Sequence, residues 1–237
     1  MLGKNSGVAA QIKEIQPKAV ETHCHGYSLS LSVKDAMKSS RLLSDIMGTV
    51  AEITTLIKYS PKRENLLGKI KENLEFDDEE DDYESINSLT KLCVNRWTVR
   101  ATAFKRVMDN YQQLHDLWEE CLQESLDRET RSRIIGCQSQ MTLFRFFYGL
   151  NLGHTVFALT DNLSKTLQKE SLSAIESKEI ALLTIQTLQN MRNEKSAHAF
   201  LETVKKKSSK YSFIEDPVLP RKRRNPNYKS LTEYFVV

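Results

Sequence analysis

Residues 99–121, VRATAFKRVMDNYQQLHDLWEEC, decide the fold class. Val99, Ala103, Val107, Tyr111, Leu114, Trp118 and Cys121 recur three and four apart. That spacing places them on one face of a 3.6-residue helix, whereas a strand would scatter them over both faces. Neither Gly nor Pro interrupts the run. The expectation is a helix resuming near Trp97 and carrying one long apolar face.

The same rhythm extends in both directions. Leu42, Ile46, Val50, Ile53 and Ile57 make residues 35–59 helical, and Leu43, Met47 and Leu56 widen the stripe. Ser60-Pro61 stops that helix and starts another. Ser60 suits an N-cap, Pro61 the first helical position, and Glu64 the first turn. Leu66, Leu67 and Ile70 continue it. Downstream, a helix from about Asp127 carries Ile134, Met141, Phe144, Phe147 and Tyr148. Gly149 and Gly153 are expected to bracket a break. A shorter helix at 157–167 and a long one at 178–204 follow. Near the start, residues 8–15 (VAAQIKEI) read as a short helix closed by Pro17, and 19–23 (AVETH) suit a strand. The alternation of Tyr27, Leu29, Leu31 and Val33 suits a continued strand or the start of a helix equally. In all, at least five helices and at most one or two strands are expected.

Composition agrees. The 237 residues include 8 Gly and 5 Pro, far below the usual ~7% and ~5%. So few breakers do not serve a turn-rich β-sandwich or a Gly-rich nucleotide cradle. No apolar run approaches the ~18 residues of a membrane span, so no membrane partner is expected. The N-terminus lacks a signal-peptide layout. Cys24, Cys93, Cys121 and Cys137 are too scattered for a disulfide framework, and a reducing, intracellular setting is the expectation.

The net charge of +3 hides two opposite regions. Residues 72–84 hold nine acids and no base. Such a block repels itself, so about 72–90 reads as an acidic disordered loop. From Leu201 onward nine bases face four acids. Their densest point is Arg221, Lys222, Arg223 and Arg224, which suits phosphate or an import receptor; the plain alternative is a solvated loop.

Few residues suggest chemistry. His23, Cys24 and His25 are soft metal ligands, but no second pair stands at zinc spacing, and the plainer reading is a packed Cys with solvated histidines. Cys93, Cys121, Cys137, His115 and His154 are single. No nucleophile elbow, Walker loop or calcium loop occurs, so no cofactor is expected. Arg96-Trp97 with Arg100 is more suggestive, because an aromatic flanked by guanidiniums can stack on a base while they hold phosphates. The alternative is a helix start whose Trp anchors the core.

Together and in order, these segments resemble hAT-superfamily transposases, in particular the zinc-finger MYM-type-like group. Residues 1–9 (MLGKNSGVA) are similar to that family's stretch after its second catalytic Asp. Thr22–Leu31 (THCHGYSLSL) is similar to its H-C-x-x-H-x-L-N-L segment, with Tyr27 in place of the second His and Ser30 in place of Asn. Ser60-Pro61-Lys62-Arg63, Arg96-Trp97-Thr98-Val99-Arg100 and residues 160–168 (TDNLSKTLQ) match S-P-K-R, R-W-x-x-R and T-x-x-L-S-x-x-L-Q. Residues 220–224 (PRKRR) match a basic linker.

The resemblance implies an RNase H-like core interrupted by a helical insertion. On that layout 1–34 is a partial α/β remnant, 35–207 the multi-helix insertion domain and 208–237 a basic tail, a mainly α chain overall. The family cuts DNA with two Asp and one Glu that hold divalent metal. No residue here is assigned to that triad, so the implied function is a catalytically inactive, transposase-derived fragment. DNA or protein partners are expected through the helical domain, DNA through Arg96, Trp97 and Arg100, and nuclear import through Arg221–Arg224. Two alternatives are a helical protein-interaction module without nucleic-acid binding and a truncated reading of a longer transposase-like gene.

Overall fold

The computed structural model describes residues 7–20, 25–74, 100–169 and 173–214. They form α1 (Val8–Ile15), α2 (His25–Ser39), α3 (Arg41–Lys58), α4 (Pro61–Leu74) and α5 (Arg100–Asp109). α6 (Tyr111–Gln123), α7 (Arg128–Met141), α8 (Phe144–Thr166), α9 (Ala174–Met191) and α10 (Glu194–Ser208) complete them. No strand occurs among the described residues. The mainly α expectation holds, while the α/β character expected of 1–34 is not seen there: 19 and 20 are irregular, and 21–24 lie outside the described residues.

The ambiguous stretch after Tyr27 is helical, for a reason that hydropathy conceals. α2 meets α8, and its less exposed positions are Gly26, Leu29, Ser30, Val33 and Met37, a helical stripe whose two buried members, Gly26 and Ser30, are small or polar. Tyr27 and Leu31, which drew the eye, are exposed at 42% and 44%.

The helices are shorter than expected because polar caps end them without Gly or Pro. Ser40 breaks 35–59, its Oγ accepting from the Leu43 amide at 3.4 Å. Asn110 breaks 99–121, its Nδ2 donating to the Arg106 carbonyl at 2.7 Å. Asn193 breaks 178–204, its Oδ1 accepting from the Ser196 amide at 2.8 Å. The buried face nevertheless runs on across Asn110, through Ala103, Val107, Tyr111, Leu114, Trp118 and Cys121. Ser60 and Pro61 begin α4 as expected, with the Ser60 Oγ accepting from the Arg63 amide at 3.4 Å. α4 runs to Leu74, so the first residues assigned to the acidic loop are helical; 75–99 lie outside the described residues.

The expected break at Gly149 and Gly153 is overturned, since both lie inside α8. α8 is the central helix, in contact with α2, α3, α5, α7, α9 and α10. A Cβ on Gly149 would fall 1.8 Å from Ile46 Cδ1, and one on Gly153 2.4 Å from Phe104 Cε1. The two glycines stand one turn apart and admit α3 and α5 against the α8 backbone. Phe104 then meets Phe157 edge-on, with ring centroids 5.1 Å apart.

Residues 209–214, just after α10, pack against the core. Tyr211 lies 4.9 Å from Tyr111 ring to ring, and Phe213 lies 5.8 Å from Phe144 edge-on. The Ile214 amide donates to the Thr142 carbonyl at 3.0 Å. The Tyr111 hydroxyl donates to the Met141 carbonyl, and the Trp118 indole N–H to Met141 Sδ at 3.4 Å. These bonds satisfy the polar ends of two fully buried aromatic side chains.

Candidate functional site

Three segments far apart in sequence meet where α2, α5 and α8 pack together. Arg100, first residue of α5, donates from Nη2 to Ser30 Oγ of α2 at 2.8 Å. Its guanidinium carbon lies 6.0 Å from the centroid of the Phe157 ring of α8. The Ala101 amide donates to Asp161 Oδ2 at 3.0 Å, so a carboxylate from α8 satisfies one of the orphan donors at the start of α5. One turn on, Gln168 Nε2 donates to Ser164 Oγ at 3.2 Å. A Cβ on Gly26 would fall 2.6 Å from Gln168 Nε2 and 2.9 Å from Ser164 Oγ, so α2 lies directly on this end of α8.

The junction is polar and buried. Ser30, Arg100, Asp161 and Ser164 are all buried. Burial pushes the Asp161 carboxyl above its ordinary value, and the Ala101 amide and the Arg100 charge oppose that rise. Burial likewise pulls the Arg100 guanidinium down, and Asp161 offsets part of that. Its chemistry is positioning: it fixes the first residues of α5 against α2 and α8.

The expected site residues divide accordingly. Arg100, read as a phosphate contact, is 9% exposed and donates inward to Ser30. Arg96 and Trp97, immediately ahead of α5, lie outside the described residues, as do Arg221, Lys222, Arg223 and Arg224. So do His23, Cys24 and Cys93. Cys121 and Cys137 are buried thiols; burial raises both, Cys137 to about 12. They are unreactive by that measure. Among the described residues no three His, Cys, Asp or Glu side chains gather in a metal-binding group. No helix there is long and apolar enough to cross a membrane.

A second cluster escaped the sequence reading. His154 of α8, which looked isolated, has its pKa lowered first by burial and then by Lys105 of α5, with Asp109 opposing and Lys207 of α10 adding to it. Lys105 of α5 and Lys207 of α10 therefore bring cations close to His154 of α8, which their charge and burial keep in its neutral form. Lys205, Lys206 and Lys207 form the last turn of α10, where they also complement its dipole, and Lys210 follows. Lys105 pairs with Asp109 at 2.7 Å and Lys205 with Glu202 at 2.8 Å. Only the three-dimensional meeting of α5, α8 and α10 reveals this cluster; the nearest sequence signal was the Lys205–Lys207 run.

No protein family model matches the chain, and no solved structure matches it.

Proposed function

We propose that this chain is a transposase-derived helical module that binds DNA without cutting it. The observation that carries the reading is the α2–α5–α8 junction. Segments 22–31, 96–100 and 160–168, each singled out for resemblance to hAT transposases, contribute Ser30, Arg100, Asp161, Ser164 and Gln168 to one place. In this reading the buried Arg100 anchors the start of α5, which follows Arg96 and Trp97 in the sequence. Those two residues, with Lys206 and Lys207, contact the phosphate backbone and an unstacked base. No catalytic carboxylates are assigned, so the module holds DNA and does not hydrolyse it. Nuclear import through Arg221–Arg224 belongs to the same proposal.

Fluorescence anisotropy of a labelled duplex and hairpin, titrated with the full chain at two salt concentrations, tests this. Binding that weakens with salt and drops in Trp97→Ala supports it. Absent or salt-insensitive binding overturns the DNA part. Magnesium- or manganese-dependent strand cleavage by the purified chain overturns the inactive part.

A second reading, a protein-interaction helix bundle, is favoured by α9, which exposes Ile175, Leu182 and Leu183 at 73%, 53% and 62%. Co-purification of proteins that persists after nuclease treatment, without DNA affinity, would favour it.

A further inference from the structure

A groove of about 670 Å³ runs between α2 and α3 on one side, α8 at its floor, and α9 and α10 on the other. Val33, Met37, Leu152, Leu188 and Phe200 set its character, and Arg192 is the only charged residue lining it among the described residues. In a chain that is 27% charged, so neutral a wall is selective. Among the described residues no Asp, Glu, Lys or His lines it. Arg192 follows the last residue of α9 and has no ion-pair partner among the described residues. Ser40 and Ser196 add hydroxyls.

The size lies within the ~300–1,000 Å³ typical of small-molecule sites, and such sites pair an apolar body with a few convergent polar groups. Water gains few hydrogen bonds against these walls, so an apolar chain displaces it favourably. A single guanidinium, without an ion-pair partner among the described residues, adds one requirement, a single negative charge that it can hold with two parallel N–H bonds.

We propose that this groove binds a monoanionic amphiphile, an unbranched alkyl chain ending in a carboxylate, with the chain along α8 and the carboxylate on Arg192. The proposal is independent of DNA binding. The state of α9 fits it: the helix has no buried residue and forms one wall of the groove, so its packing is incomplete until the groove is filled. An occupant would clamp α9 onto α8 and α10.

The test titrates the full chain with cis-parinarate, whose fluorescence rises on burial, and competes it with dodecanoate, dodecanol and dodecyltrimethylammonium. Saturable one-to-one binding is expected, with dodecanoate the best competitor. Arg192→Glu should weaken dodecanoate roughly threefold to fivefold, the range of a rim ion pair, and favour the ammonium compound instead. Ala36→Trp and Ala199→Trp, at exposed small positions lining the groove, should abolish binding of every chain while circular dichroism stays unchanged. Amide exchange in α9 should slow when dodecanoate is bound. The proposal is overturned by non-saturable uptake, by equal competition from all three head groups, or by undiminished binding in both tryptophan variants. It is also overturned if the parent is a dimer that either tryptophan variant converts to monomer, because the groove then belongs to a second copy.

Discussion

Helices α8 and α9 are consecutive and about equally apolar on average, yet they end in opposite environments. α8 buries residues around its whole circumference, from Phe144 to Ser164, while α9 buries none. Apolar content therefore did not decide burial. Access to the backbone did. Gly149 and Gly153 let Ile46 and Phe104 reach α8 to distances at which any Cβ would collide. α9 has no glycine, and its Ile185, Leu188 and Met191 face a groove instead of a neighbouring helix. What α9 has is local order: Ser173 Oγ accepts from the Glu176 amide at 3.2 Å while Glu176 Oε2 accepts from the Ser173 amide at 2.9 Å. One helix is enclosed by its neighbours; the other meets α8 and α10 without burying a residue and carries its own capping box.

The sharpest way to break this comparison is to cut into the α8 side. Phe157 is fully buried and packs on both Phe104 and Arg100. Phe157→Ala should cost about 3–5 kcal/mol in denaturant unfolding, as expected for a large aromatic removed from a close-packed core. Gly153→Ala should cost about 1–3 kcal/mol by overpacking, because the atom it meets is on a fully buried ring. If Gly153→Ala were neutral, α5 and α8 would not approach as closely as described.

Asp161→Ala should cost about 1–2 kcal/mol by removing the acceptor at the start of α5. Asp161→Asn should recover most of it, since its carbonyl can accept the same Ala101 bond. The pair also has a pH signature. Burial raises the folded-state pKa of Asp161, so folding favours its neutral form. The stability it contributes is fully present below the unfolded carboxyl pKa and is lost as pH rises through the higher folded value. Relative to Asp161→Asn, the parent should therefore lose stability as pH rises from the ordinary aspartate range, as measured by urea unfolding across pH. An opposite slope would mean that the Ala101 bond and Arg100 outweigh burial.

The same contrast explains what was legible in the sequence. Helix was readable wherever large apolar residues alternate by three and four, as in 99–121. Boundaries were not, since the low Gly and Pro content suggested long helices while Ser40, Asn110 and Asn193 end them by side-chain hydrogen bonds. The Ser173–Glu176 capping box was a readable signal, and it starts α9 four residues before the expected 178. Gly149 and Gly153 were misread as breakers because a glycine that loosens a backbone and one that admits a neighbour look alike in one dimension. The junction was half legible. Resemblance pointed to its three segments, but the bond from Arg100 to Ser30 joins positions 70 residues apart and turns inward a side chain that looked like a DNA contact. His154 with Lys105 and Lys207 was invisible for the same reason, since each cation comes from a different helix.

The smallest expected effect tests α9 most directly. Leu183 is 62% exposed and Leu182 53%. Replacing either by Ser leaves no enclosed cavity, because each side chain is more than half exposed. Global stability should then change by less than about 0.5 kcal/mol, the range of ordinary surface substitutions. A helix that carries its own capping box should respond instead to Ser173→Ala, which should open α9 locally by about 1 kcal/mol, read as faster amide exchange in α9 with α8 unchanged. If Leu183→Ser instead destabilised the whole fold by more than about 1 kcal/mol, that face would be covered in solution. The contrast with α8 would then reduce to which partner each helix has, and the interaction-module reading would gain on the DNA-binding one.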